Sequence, residues 1–319
     1  MPNHQDLLDI FSLTETLNIH YSLDTYIKET REGFEIRTGT RRHNQEIYRA
    51  FNAAHQYLEF NRDIDVADPD VRTFIQLVNE LNHRSPFTLI YTEESSAHNA
   101  CDDINWVIHR YQEMKGKDSK LRRNRKRTKS RNTESLKRYC DNIFDVHSRI
   151  LVVRMDFGYR SHVYKQLCTH AVIQDRCTFL DKVKHKYPGL VGYVWKLEYG
   201  EIRTFHYHMV FLFDGSLHHS DIRLGKVLGE LWEDNCHTYG THHNCNADRN
   251  YTECYLGMVH HLDDTKRQVM KKHLPYLCKE DRIIGVFLKK RQRCFGRMET
   301  PRRSSNAGRP RRQPGPLIE

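Results

Sequence analysis

The chain has 319 residues, a formal net charge of +10, a hydrophobic fraction of 38% and a charged fraction of 29%. That length accommodates two modest domains with real cores, and no uncharged apolar run is long enough for a membrane-spanning helix. Nine scattered cysteines without a framework, and an N-terminus MPNHQDLLDI lacking basic and apolar signal regions, point to reduced thiols and a cytoplasmic location.

The charge is concentrated. Between Lys115 and Arg138 twelve Lys or Arg face only Asp118 and Glu134, a local +10, and between Lys289 and Arg312 ten face only Glu299, a local +9. The remainder sums to −9. Two basic strips on an otherwise acidic protein suit salt-sensitive contacts to nucleic-acid phosphates, with a solvated linker and tail as the alternative.

In chain order, residues 1–114 read as a mostly helical N-terminal domain with helices over 5–17, 44–60, 70–81 and 97–114. In the third, Val71, Phe74, Ile75, Val78 and Leu81 recur at helical spacing. The apolar string 87–91 reads as a strand. This domain shows no catalytic constellation, and origin recognition or partner contact are its open roles. Residues 115–138 form a basic linker or an exposed helix extension containing the domain boundary. The second domain, 139–291, begins with a strand over 150–157 and a helix over 162–184. A hairpin follows from strands 190–199 and 202–213, then a helix over 220–233 with Ser220 as N-cap and Ile222, Leu224, Val227, Leu228 and Leu231 on its apolar side. A charged helix covers 263–272, and further strands are expected near 254–259 and 283–288. Residues 292–319, rich in Pro, Gly, Ser and Arg, form a basic disordered tail. Candidate DNA contacts are Arg122, Arg123, Arg125, Lys126 and Arg127 in the linker, Arg203 in the hairpin, and Arg293, Arg297, Arg302 and Arg303 in the tail.

The most informative stretch is Thr204 to Phe213, TFHYHMVFLF, where His206 and His208 share one face of a strand. Glu198 on the preceding strand completes a nitrogen and oxygen donor set suited to Mg²⁺ or Mn²⁺. The set requires a register: a two-residue turn aims Glu198 away, whereas a three-residue loop, with Gly200 available for positive φ, pairs Glu198 with Thr204 and keeps all three groups on one face. Downstream, Tyr276 and Lys279 stand three apart on a helix, a phenol beside an ammonium and therefore a candidate nucleophile. The Cys- and His-rich stretch from Cys236 to Cys254 lacks the close CxxC of structural zinc sites, and Tyr251 and Tyr255 read as packing residues. The motifs of two-histidine phosphoesterases and zinc deaminases are absent. His218, His219, His260 and His261 read as surface or loop residues, and Trp195 and Tyr207 as core.

HxH on a strand followed by YxxK resembles the HUH-type rolling-circle replication initiators. More narrowly, the stretch from about Asp145 to Arg303 resembles the gene II-like initiators of filamentous bacteriophages and their prophage relatives. The resemblance is carried by Trp195, Glu198 and Gly200 before FHYH, then Trp232, Tyr276 to Lys279, and Arg293 to Arg297. It implies an α+β fold, an antiparallel sheet backed by helices on one side (HUH/Rep-like, with a ferredoxin-like palm), whose other face holds DNA. It also implies metal-dependent, site-specific nicking and joining of single-stranded origin DNA, with a host helicase and replication machinery as partners. His206, His208 and Glu198 would hold the ion; Tyr276 would attack phosphorus, leaving a 5′-phosphotyrosyl link and a free 3′-hydroxyl; Lys279 would assist. The rival reading is a non-catalytic DNA-binding prophage regulator. A transposase or mobilisation nickase shares the chemistry, while HxH preceding Tyr argues against relaxases.

Overall fold

The computed structural model describes residues 4–20, 27–30, 33–36, 44–61, 64–84, 97–117, 119–200, 203–248, 255–279, 282–289 and 291–300. Two compact units emerge, Met1–Arg127 with Asp281–Arg293 and Thr128–Glu280 with Cys294–Glu319. This division differs from the expected 115–138 linker and 139–291 domain. The boundary falls inside a helix, and segment 281–293 belongs to the first unit.

The first unit contains α1 (His4–His20), the hairpin β1 (Ile27–Thr30) and β2 (Gly33–Ile36), α2 (Asn44–Phe60), α3 (Pro69–Arg84) and α4 (Ala97–Lys117). As the spacing requires, Val71, Phe74, Ile75, Val78 and Leu81 of α3 are buried, and Phe74 meets Phe51 of α2 edge-on at 5.2 Å. Asp68 caps α3 by accepting from the amides of Asp70 and Val71 at 3.0 and 3.1 Å. The expected strand at 87–91 lies outside the described residues.

The basic run continues as part of one helix, α5 (Ser119–Val146). Its residues 123, 124 and 126–131 are exposed, whereas Leu136, Tyr139, Cys140, Ile143 and Phe144 are buried, so packing of the C-terminal half carries a polar N-terminal extension.

The second unit then runs β3 (Arg149–Tyr159), a 3₁₀ turn (Ser161–Gln166), α6 (Thr169–Lys186), β4 (Leu190–Gly200), β5 (Thr204–Asp214), α7 (Asp221–Asn235), β6 (Gly240–Asn244), β7 (Gly257–His260), α8 (Asp264–His273) and a second 3₁₀ turn (Leu274–Cys278). After α9 (Arg282–Phe287), which belongs to the first unit, β8 (Phe295–Arg297) closes the described chain. The sheet order is β6-β3-β5-β4-β8, with β7 also on β3, and every pair is antiparallel. Strands β3, β4, β5 and β6 with α6 and α7 thus make a β-α-β-β-α-β unit in which each crossover straddles one strand.

Odd-numbered residues of the central strands bury against α6 and α7. There Trp232 meets Phe157 at 5.0 Å and Phe179 at 5.3 Å, and its indole N–H donates to Gly158 O at 3.1 Å. Even-numbered residues Ile150, Val152, Val194, Val210 and Leu212 bury against α5, α8 and the second 3₁₀ turn. Helices on one side only is therefore corrected. Both faces carry apolar side chains at this end of the sheet, so both need covering; further along the even-numbered face His206 and His208 are half-buried.

Other corrections are local. The expected strand at 283–288 is helix α9, whose segment carbonyls Gly285 O and Leu288 O accept from Asp68 and Ala67. Part of the expected tail is β8, because β4 offers an edge that residues 295–297 can pair with. In α7 the buried stripe is Leu224, Leu228 and Trp232; Ile222 is exposed, and Ser220 makes no side-chain capping bond. The helix expected over 162–184 is split into the first 3₁₀ turn and α6.

Candidate metal centre and nucleophile

Strands β4 and β5 are joined by residues 201–203, with Gly200 opposite Thr204 and Glu198 opposite His206. The loop is odd, as the site requires, but the register is two residues from the expected Glu198–Thr204 pair. Thr204, at φ 48, takes the left-handed conformation assigned in advance to Gly200. Parity is preserved, so Glu198, His206 and His208 still share a face.

Their donor atoms all lie within 4.8 Å of one another. Glu198 Oε2 is 3.5 Å from His208 Nε2 and 3.8 Å from His206 Nε2, with the two rings edge-to-face at 5.1 Å. Each imidazole is held through its other nitrogen. His206 Nδ1 donates to Thr204 O at 3.0 Å, and His208 Nδ1 donates to Asp156 Oδ1 at 2.7 Å. Both Nε2 atoms therefore turn toward the carboxylate, the tautomer and orientation an ion needs. The residues present fit a divalent cation taking nitrogen and oxygen donors, with further positions left for phosphate oxygens.

Electrostatics bind the cluster together. Burial pushes the Glu198 carboxyl up, but the His208 hydrogen bond and charge, with Lys279 and Lys196, outweigh it and bring the value down to about 2. Burial pulls His208 down, and the bonds and charges of Asp156 and Glu198 overcome that, raising it to about 9. His206 stays below its ordinary value, chiefly through burial.

The second 3₁₀ turn carries Tyr276 to this cluster. An α-helix was expected through Tyr276 and Lys279. Pro275 has no amide hydrogen to continue the ladder of α8, and the chain tightens to i→i+3 spacing instead. Tyr276 and Lys279 nevertheless remain neighbours: the Lys279 ammonium lies 4.9 Å from the Tyr276 ring centroid and 3.3 Å from Glu198 Oε1. Burial pulls Lys279 down, but Glu198 raises it above its ordinary value, so it remains a cation. Tyr276 is 63% exposed and open to solvent.

Of the DNA-contact candidates, Arg123, Lys126 and Arg127 are exposed on α5, and Arg122 and Arg125 lie on the same helix. Arg203 is exposed at the hairpin turn and Arg293 before β8. Arg297 is turned inward: it donates to Met298 O, Thr300 Oγ1 and Ser135 Oγ at 3.0 to 3.1 Å and stacks 4.6 Å from the Tyr139 ring, fastening β8 to α5. Arg302 and Arg303 lie outside the described residues. Trp195 and Tyr207 are buried on the opposite face, and Tyr255 is buried in the core; Tyr251 is outside the described residues. Among the described residues no second group of three His, Cys, Asp or Glu donors converges.

Two site residues escaped sequence reading. Asp156 is the acid in the apolar strand LVVRMDF, directly opposite His208; Lys196 is the cation two residues before Glu198 in GYVWKLE. A charge inside an apolar strand was the available signal.

A family model described as the YagK/YfjJ C-terminal domain matches residues 109–298. No curated protein and no solved structure matches the chain.

Proposed function

The chain belongs to the YagK/YfjJ C-terminal domain family, a family of prophage-associated proteins, and from that premise and the site we propose that it nicks and rejoins single-stranded DNA, initiating rolling-circle replication of a phage or prophage element. The observation that carries this reading is the 3.3 Å contact between Lys279 and Glu198, which brings the YxxK turn to the two-histidine, one-carboxylate cluster. A pure binding protein has no need of a donor triad beside an exposed phenol. The β-α-β-β-α-β order supports an HUH/Rep-like, ferredoxin-like palm.

In this reading His206, His208 and Glu198 hold Mg²⁺ or Mn²⁺, which when bound supplies positive charge to a phosphate oxygen. Asp156 and Thr204 O fix the imidazoles. Tyr276 loses its phenolic proton, its oxygen bonds to phosphorus, and the bond to the 3′-oxygen breaks, leaving a 5′-phosphotyrosyl link and a 3′-hydroxyl once that oxygen is protonated. The Lys279 ammonium stabilises the phenolate. Exposed cations of α5, with Arg203 and Arg293, draw the strand in. Origin DNA, a host helicase and the bacterial cytoplasm are the corresponding partners and setting.

The test is incubation of protein with labelled phage-origin single strands and Mn²⁺, read on a denaturing gel. A metal-dependent covalent adduct is expected for wild type and absent in Tyr276→Phe and His206→Ala. Tight, salt-sensitive binding without any adduct would favour a DNA-binding prophage regulator instead.

A further inference from the structure

We propose that Lys196 is a further positioning residue of the metal centre, a buried ammonium whose charge keeps a divalent ion weakly held until an anionic phosphodiester joins it. The inference rests on the metal-site reading above and names what completes that site. Lys196 is 2% exposed, and no other lysine is buried among the described residues. Register sets its place: it precedes Glu198 by two on β4, faces the same side, and stands opposite His208 on β5 and Phe295 on β8.

Its ammonium lies 3.6 Å from Cys294 Sγ, a weak acceptor that offsets little of the cost of burying a charge. Its register puts it on the face that carries Glu198, His206 and His208. Its charge is among those that hold the Glu198 carboxyl down against burial, and it acts likewise on the Cys278 thiol, which burial otherwise raises, in the turn beside Tyr276. The Glu198 and Asp156 carboxylates are already matched by cations: Lys279 is 3.3 Å from Glu198, Arg154 is 3.8 Å from Asp156, His208 pairs with both, and Lys196 stands two residues from Glu198 on the same face. The donor set therefore has no negative excess with which to attract a cation. A divalent ion makes the cluster strongly cationic, and a phosphodiester relieves that charge. The pentacoordinate arrangement, one unit more negative, relieves it further. Ion and phosphate should accordingly strengthen each other's binding.

The test is a titration of full-length protein with Mn²⁺ alone, the free ion followed by electron paramagnetic resonance. Lys196→Met keeps the length and removes the charge, so it is expected to bind Mn²⁺ about tenfold tighter than wild type. Lys196→Arg, which keeps the charge, should stay close to wild type. A lysine that only supports the fold would shift the melting temperature and not the affinity. Equal or weaker Mn²⁺ binding by folded Lys196→Met overturns the proposal and leaves the metal centre standing. No Mn²⁺ binding by either protein overturns both. If Lys196→Met does not fold, Lys196→Gln carries the same comparison.

Discussion

Replacing Asp156 by Asn tests whether the short bond to His208 sets the proposed metal centre. At 2.7 Å, His208 Nδ1–H to Asp156 Oδ1 is a charge-assisted bond, stronger than a neutral one by about 1–2 kcal/mol. Asn presents an acceptor oxygen in nearly the same place without the charge, so the ring keeps a partner and loses the difference. A loss of about 1.4 kcal/mol corresponds to a tenfold fall in the Mn²⁺ affinity of the deprotonated site, the value left once the proton competition at His208, which the substitution itself relieves, has been divided out. The assay is the Mn²⁺ titration, paired with an NMR titration of His208 in the metal-free protein. Asp156 contributes to lifting His208 to about 9, so the titration should move toward the ordinary 6.5. Mn²⁺ affinity within about twofold of wild type, with His208 still titrating near 9, would refute the reasoning.

Further expectations follow from other parts of the structure. In the metal-free protein His208 titrates at about 9, above 6.5, so its interactions stabilise the fold fully below pH 6.5 and are lost as pH rises through 9; Glu198, at about 2, stabilises above pH 4.5 and loses this as pH falls through 2. Melting in chelator should therefore plateau between those limits, with about 3 kcal/mol at stake, largely one shared interaction; a melting temperature that climbs from pH 7 to 9 contradicts it. Mn²⁺ must displace the His208 proton, so its affinity should rise about tenfold per pH unit up to about 9. Trp232→Ala removes the fully buried indole among Phe157, Phe179 and Tyr207 and should cost about 3–5 kcal/mol in urea unfolding of the second unit. Gly192→Ala drives a methyl into the hydroxyl of buried Tyr139 and should cost about 1–3 kcal/mol by the same measurement. Alanine at Arg123, Lys126 and Arg127 together should flatten the slope of log affinity against log salt for a single-stranded oligonucleotide by about 2; an unchanged slope would remove α5 from the contact surface.

The sequence by itself determined what depends on local period and residue type. Helical spacing located α2, α3 and α4, and the alternation of His206, His208, Val210 and Leu212 established that two imidazoles share one side of a strand. Parity alone then required an odd loop for Glu198 to join them, because any odd loop preserves the face and any even one reverses it. Tertiary structure decided the rest. Whether Glu198 lies opposite Thr204 or His206 depends on where the turn closes, and that closure uses a left-handed Thr204 that no propensity favours. The apolar string at 283–288 falls in helix α9 and the residue after it, where the Gly285 and Leu288 carbonyls accept from the amides of Asp68 and Ala67. Residues 295–297 become a strand because β4 presents an open edge, and Arg297 turns inward because Tyr139 and Ser135 await it. Asp156 and Lys196 join the site from different strands, β3 and β4. Their roles rest on cross-strand neighbours set by sheet order, and sheet order arises only when distant segments pack.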